Sequence, residues 1–137
     1  MEKIIIEPEI YTYDIDFGHH VSNITYIKWM EIGRIKLLET VGMPVHEIEK
    51  FGFFPLLTRT EISYKKPLYL GDKVRIELFL LKLKKISGSI QFKFIRGTDE
   101  LVAEGEQNAL FFSLTTKRPY KLTEEQRLLF AKYLLEE

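Results

Sequence analysis

Residues 24–41, ITYIKWMEIGRIKLLETV, form the stretch on which the fold turns. Ile24, Ile27, Leu38 and Val41 fall on one face at helical spacing, with Met30 and Ile35 at its margins, so the segment reads as a helix. Ser22 or Asn23 can cap its start, and Gly42 with Pro44 ends it. It is the only long helix before the sheet. Upstream, residues 4–13 are rich in Ile, Tyr and Thr and read as a strand, with Pro8 marking an edge or a bend.

Downstream the period changes from helical to alternating. After a linker containing Gly52 and Pro55, Thr58, Thr60, Ile62 and Tyr64 alternate with Arg59, Glu61, Ser63 and Lys65, which reads as a half-buried strand. Pro67 and Gly71-Asp72 stop it. Val74, Ile76, Leu78 and Leu80 form one face of the next strand. Ser87-Gly88 turns the chain into Ile90, Phe92 and Phe94, and Gly97-Thr98-Asp99 leads into a long strand over residues 101–114. Thr123 with Gln126 matches a capping box ahead of a short helix expected to reach Leu135. One apolar helix and one curved antiparallel sheet must bury each other, an α+β arrangement. A sheet wrapped round a single helix leaves strand edges open, which favours a homo-oligomer, a dimer or a dimer of dimers.

The bulk composition narrows the class. A chain of 137 residues with 45% apolar content fits one domain, residues 1–137, with a sizeable core. The 20 basic and 20 acidic residues cancel, so no global field draws the chain to nucleic acid or to an anionic membrane. The absence of cysteine removes disulfides, a thiol nucleophile and cysteine-based metal sites. No signal peptide and no apolar run long enough to span a membrane is visible, and a cytoplasmic setting is the expectation.

The turn before the helix carries the chemistry: Asp14-Ile15-Asp16-Phe17-Gly18-His19-His20-Val21-Ser22-Asn23, with Tyr26 following. Here the chain resembles the hotdog thioesterases of the 4-hydroxybenzoyl-CoA thioesterase type. Those proteins carry an Asp, a short Gly-containing loop, often a Gly-His-Val-Asn-Asn-like run, and a Tyr ten residues after the Asp. The segment Tyr64-Lys65-Lys66-Pro67-Leu68-Tyr69-Leu70-Gly71-Asp72 is similar to the family's Tyr-x-x-Pro-Leu-x-x-Gly-Asp. Leu101-Val102-Ala103-Glu104-Gly105 and Arg118-Pro119 also sit where relatives place similar residues. The likeness spans nearly the whole chain and implies a hotdog fold that hydrolyses acyl-CoA thioesters.

By that resemblance Asp16 is the catalytic carboxylate and the Asn23 N–H is the oxyanion donor. The physics agrees, since thioester hydrolysis needs a nucleophile or a base and a donor where charge builds on the carbonyl oxygen. Backbone N–H groups at a helix start lack intrahelical partners and sit at the positive end of the dipole. In a turn, an Asp also commonly satisfies loop backbone groups, and Asp14, read as nearer to solvent, is assigned that structural role.

His20 matches a histidine of part of the family and is either a base or a loop hydrogen-bond partner. The doubled His19-His20 and Ser22 depart from the commonest family form, and two histidines without a third ligand do not make a metal site. Glu31 and Arg34 fall on the apolar stripe, three apart. They are read as an ion pair or, alternatively, Glu31 is a second active-site carboxylate. Tyr26 is a candidate substrate contact. Arg59, Lys65, Lys66 and Arg96 are candidates for the phosphates of coenzyme A, and Phe54 and Pro55 for the acyl pocket. Coenzyme A enters as part of the substrate, and no separate cofactor is expected. Acyl carrier protein as the thiol carrier and a non-catalytic acyl-CoA-binding module are the alternatives. A hydratase is disfavoured because neither the His-Phe-Pro-rich run nor the Asp-x-Asn-Pro-x-x-x-His run is present.

Overall fold

The computed structural model describes residues 1–135. Five strands form one antiparallel sheet: β1 (Ile4–Ile6), β2 (Phe53–Tyr64), β3 (Val74–Leu83), β4 (Ser87–Arg96) and β5 (Glu100–Ser113). Their order across the sheet is β1-β3-β4-β5-β2, so β1 and β2 are the outer edges. The long helix α1 (Asn23–Thr40) packs on this sheet, and the short helix α2 (Glu124–Phe130) follows the last strand. The hotdog architecture expected from the sequence is borne out.

The helix is bounded by local chemistry. Ser22 is its N-cap, and the Ser22 Oγ accepts the Ile24 N–H at 3.1 Å. At the other end Gly42 takes a left-handed φ of 86°. The Met43 N–H then bonds the Leu38 carbonyl at 2.8 Å and the Gly42 N–H bonds that of Glu39 at 3.0 Å, closing a Schellman motif.

The buried stripe of α1 is rotated from the one expected. Tyr26, Trp29, Met30, Gly33 and Leu37 face the sheet, with Leu38 also buried, whereas Ile24 and Ile27 are 62% and 46% exposed. The reason is close approach. A Cβ on Gly33 would lie 3.0 Å from Leu78 Cδ2 and 3.2 Å from Phe92 Cε1, and one on Gly105 would lie 2.9 Å from Met30 Cε. Bare backbone at these two positions lets the helix sit low on β3, β4 and β5. A count of apolar side chains gives a glycine no weight, so the phase it sets is missed.

Other boundaries also move. The first strand ends at Ile6 instead of Tyr13, since Pro8 has no N–H for the ladder, and residues Thr12–Asp14 form a 3-10 turn. The second strand begins at Phe53, five residues early, and is more exposed than its alternation suggests because, among the described residues, its outer side has no neighbouring strand. Helix α2 carries the expected capping box of Thr123 and Gln126 but stops at Phe130, and Ala131–Tyr133 continue as a 3-10 turn. Among the described residues no helix is long and apolar enough to cross a membrane.

Candidate active site

The turn between β1 and α1 is tied together mostly by its own backbone. Asp14 is buried, against the reading that put it nearer to solvent. Its Oδ2 accepts the Tyr11 N–H at 2.8 Å, its carbonyl accepts the Ser22 N–H at 2.8 Å, and Thr25 Oγ1 lies 3.4 Å from its Oδ1. It therefore clamps the turn to the helix start, the structural role expected of it.

Asp16 stands at the mouth of the turn. Its N–H donates to the His20 carbonyl at 3.1 Å, its carbonyl accepts the His19 N–H at 3.0 Å, and its Oδ1 accepts the Gly18 N–H at 2.8 Å. His19 adopts a left-handed φ of 67°, an unusual conformation for a side-chain-bearing residue, and this reverses the chain. A Cβ on Gly18 would sit 3.1 Å from Asp16 Oδ1 and 3.2 Å from His20 Nε2, so carboxylate and imidazole flank the same bare position. His20 Nδ1 lies 3.4 Å from the Val21 carbonyl.

The next residues deliver the helix. Val21 is buried, and its N–H donates to the Leu68 carbonyl at 2.8 Å. Asn23 is the first helical residue, and among the described residues its N–H meets no acceptor. An N–H in that position faces outward at the positive end of the helix dipole.

Asp16, His20, Val21, Asn23 and Tyr26 line one wall of a cleft of about 380 Å³, and Tyr64, Lys65, Lys66 and Pro67 complete it. Tyr26 meets Tyr64 edge to face at 5.1 Å and Phe94 likewise at 5.1 Å. Burial, followed by the neighbouring Tyr64, pushes the Tyr26 phenol up to about 12, so it is neutral at physiological pH. Lys65 pairs with Glu104 at 3.7 Å and Lys66 with Glu100 at 2.9 Å. Glu100 is held down at about 2, first by its hydrogen bond from Arg96 and then by that from Lys66.

Of the residues singled out from the sequence, the fold gathers Asp16, His20, Asn23, Tyr26, Lys65 and Lys66 at this cleft. It places the others elsewhere. Glu31 is half exposed, paired with Arg34, and not on the buried stripe. With Phe54 and Pro55 it lines a separate apolar-walled cleft of about 260 Å³. Arg59 pairs with Glu61 on the exposed edge strand β2 and is not among the walls of the first cleft. Glu31 follows Asn23 by eight residues, about 12 Å along the helix axis. That places it more than two turns from the free N–H. Tyr64 was overlooked as a wall; its signal was its position at the end of a strand, three residues before Pro67.

A family comparison matches the thioesterase-like superfamily over residues 10–130. The chain belongs to that superfamily, which bears out the expected family, thioesterase-like proteins on a hotdog fold. Among individual proteins it is similar to YneP of Bacillus subtilis, provisionally named an acyl-CoA thioesterase, with 33% identity over 60 residues. That match spans 44% of each chain. The fold is that of the DHNA-CoA thioesterase of Staphylococcus aureus, with a TM-score of 0.85 at 20% identity over 96% of this chain and 91% of that one. A second Staphylococcus aureus protein, solved in complex with CoA, superposes with a TM-score of 0.89 at 15% identity, over 96% of this chain and 84% of that one.

Proposed function

We propose that the chain hydrolyses acyl-CoA thioesters in the cleft at the start of α1. The observation that carries this reading is that Asp16 and Asn23, whose N–H meets no acceptor among the described residues, line the same cleft. Asp16 attacks the thioester carbonyl carbon, or takes a proton from a water that does. The carbonyl oxygen gains the negative charge, and the Asn23 N–H donates to it. The carbon–sulfur bond then breaks and the thiolate leaves, taking up the proton that the attacking water gives. Where Asp16 itself attacks, the acyl–aspartyl anhydride so formed is cleaved by water, which frees Asp16 and supplies that proton, so both routes end in a carboxylic acid and CoA. His20, beside Asp16, is placed to orient the attacking water. The neutral Tyr26 and Tyr64 wall the acyl side, and Lys65 and Lys66 supply positive charge for the phosphates at the rim.

Family membership supports the thioester class, and the CoA-bound neighbour of the same fold supports CoA as the carrier. A homo-oligomer belongs to the same proposal. It is supported by the unpaired outer edge of β2 and by the exposed Ile24 and Ile27 on α1.

The test is a panel of short, long and aryl acyl-CoA esters followed by thiol release, with the same acyl groups also offered on acyl carrier protein. Turnover is expected on CoA esters of at least one acyl class, and faster than on the carrier protein. Tight CoA binding without thiol release across the panel would make the chain a binding module instead.

A further inference from the structure

Arg96 ends strand β4 behind the cleft, and it is not one of the cleft's walls. Its Nη1 donates to the Pro67 carbonyl at 2.7 Å and to Asp72 Oδ2 at 3.2 Å, and its Nε donates to Glu100 Oε1 at 2.7 Å. Asp72 Oδ2 also accepts the Tyr69 N–H at 2.8 Å. Two of the three arginine bonds thus land on the connection between β2 and β3. The residue after Pro67 is Leu68, fully buried, whose carbonyl accepts the Val21 N–H at 2.8 Å. Val21 lies two residues before Asn23 and five after Asp16. One guanidinium therefore fixes a loop, and that loop's backbone fixes the turn bearing both reacting groups. A rigid planar fork suits this task better than a flexible ammonium.

We propose that Arg96 is a positioning residue for the thioester cleft: it holds the backbone of Pro67 and Leu68 against Val21, so that the Asp16 carboxylate and the Asn23 N–H keep their register. This rests on the hydrolase reading above. Its loss slows the chemical step more than it weakens binding, because a small misplacement of reacting groups costs rate while contacts to the carrier persist.

Arg75 provides a matched control. On the adjacent strand β3 it also bonds an acid, Glu77 at 3.0 Å, and two carbonyls, those of Gly97 at 3.4 Å and Thr98 at 3.1 Å. Those carbonyls belong to the β4–β5 turn, and among the described residues neither Gly97 nor Thr98 shares a backbone hydrogen bond with residues 16–23.

The experiment compares Arg96→Met, Arg96→Lys, Asp72→Asn, Arg75→Met and Asp16→Asn on the fastest acyl-CoA ester, well below each melting temperature. Amide hydrogen exchange over residues 14–24 is followed in parallel. Arg96→Met is expected to lower kcat by about tenfold or more with KM changed by less than about threefold. Arg96→Lys regains part of the loss, Asp72→Asn gives a smaller drop in the same direction, and Arg75→Met leaves kcat within about twofold. Exchange over residues 14–24 rises in Arg96→Met and not in Arg75→Met. A normal kcat in Arg96→Met, or an equal fall in Arg75→Met, overturns the assignment. Should Arg96→Met not fold, Arg96→Lys and Asp72→Asn both at wild-type kcat overturn it. Full activity in Asp16→Asn would instead remove the hydrolase reading itself, whereas an inactive Asp16→Asn beside a normal Arg96→Met removes only the role of Arg96.

Discussion

Gly18 has no side chain, yet it spaces two groups that do. The nearest atoms to its would-be Cβ are side-chain atoms of Asp16 and His20, which can shift. Gly18→Ala is therefore expected to change stability by less than about 1 kcal/mol. It should nonetheless lower kcat/KM by about tenfold, through displacement of the carboxylate and imidazole. Unchanged kinetics with normal folding would show that their placement there is immaterial. Tyr26 makes a second point at this scale. Burial raises its pKa to about 12 from an ordinary 10.0, so the fold favours the neutral phenol. Stability from this source is intact below about pH 10 and is lost as pH climbs towards 12. Urea unfolding between pH 9 and 11 should show a steeper alkaline loss for the wild type than for Tyr26→Phe; parallel curves would contradict that environment.

At the scale of elements, α1 joins fold to cleft, because its buried stripe sets its phase and its first residue, Asn23, lines the cleft. Removing the cap in Ser22→Ala is expected to cost about 1 kcal/mol by urea unfolding, with a larger proportional fall in kcat than in stability-matched surface variants. Gly33→Ala improves helix propensity but drives a methyl against Leu78 and Phe92, both fully buried. The clash is expected to prevail, with a net loss of about 1–3 kcal/mol in the same measurement; a stabilised Gly33→Ala would contradict the close approach. The same helix marks what the sequence made legible. Its existence and its cap could be read from periodicity and from Ser22, but not its rotation. Ile24 and Ile27 are as apolar as Tyr26 and Trp29, and the sheet chooses between the two faces through Gly33 and Gly105.

At the scale of the whole molecule, the zero net charge conceals local order. Arg96, Glu100, Asp72 and Lys66 form a network that braces the loop behind the cleft. Glu100, lowered to about 2 from 4.5, contributes stability that is present above pH 4.5 and is lost as pH falls towards 2. The melting-temperature gap between wild type and Glu100→Gln should therefore close across that interval; a constant gap would contradict the ion pairing. The cleft itself was half legible. Asp16, His20, Asn23 and Tyr26 are neighbours in sequence and could be grouped from one turn, and Lys65 and Lys66 join them across the sheet as candidates for phosphate contact. Glu31 drew attention because a charge on a supposed buried stripe suggests function, and the ion pair with Arg34 that its spacing also offered is present. With the stripe rotated, it is a solvent-facing partner of Arg34. Its separation from the cleft leaves Asp16 as the carboxylate there. The most direct test is the rate of thiol release from the fastest acyl-CoA ester by Asp16→Asn, folded and melting as the wild type does. A fall of about a thousandfold or more is expected; a rate within about tenfold of wild type would contradict the assignment of Asp16.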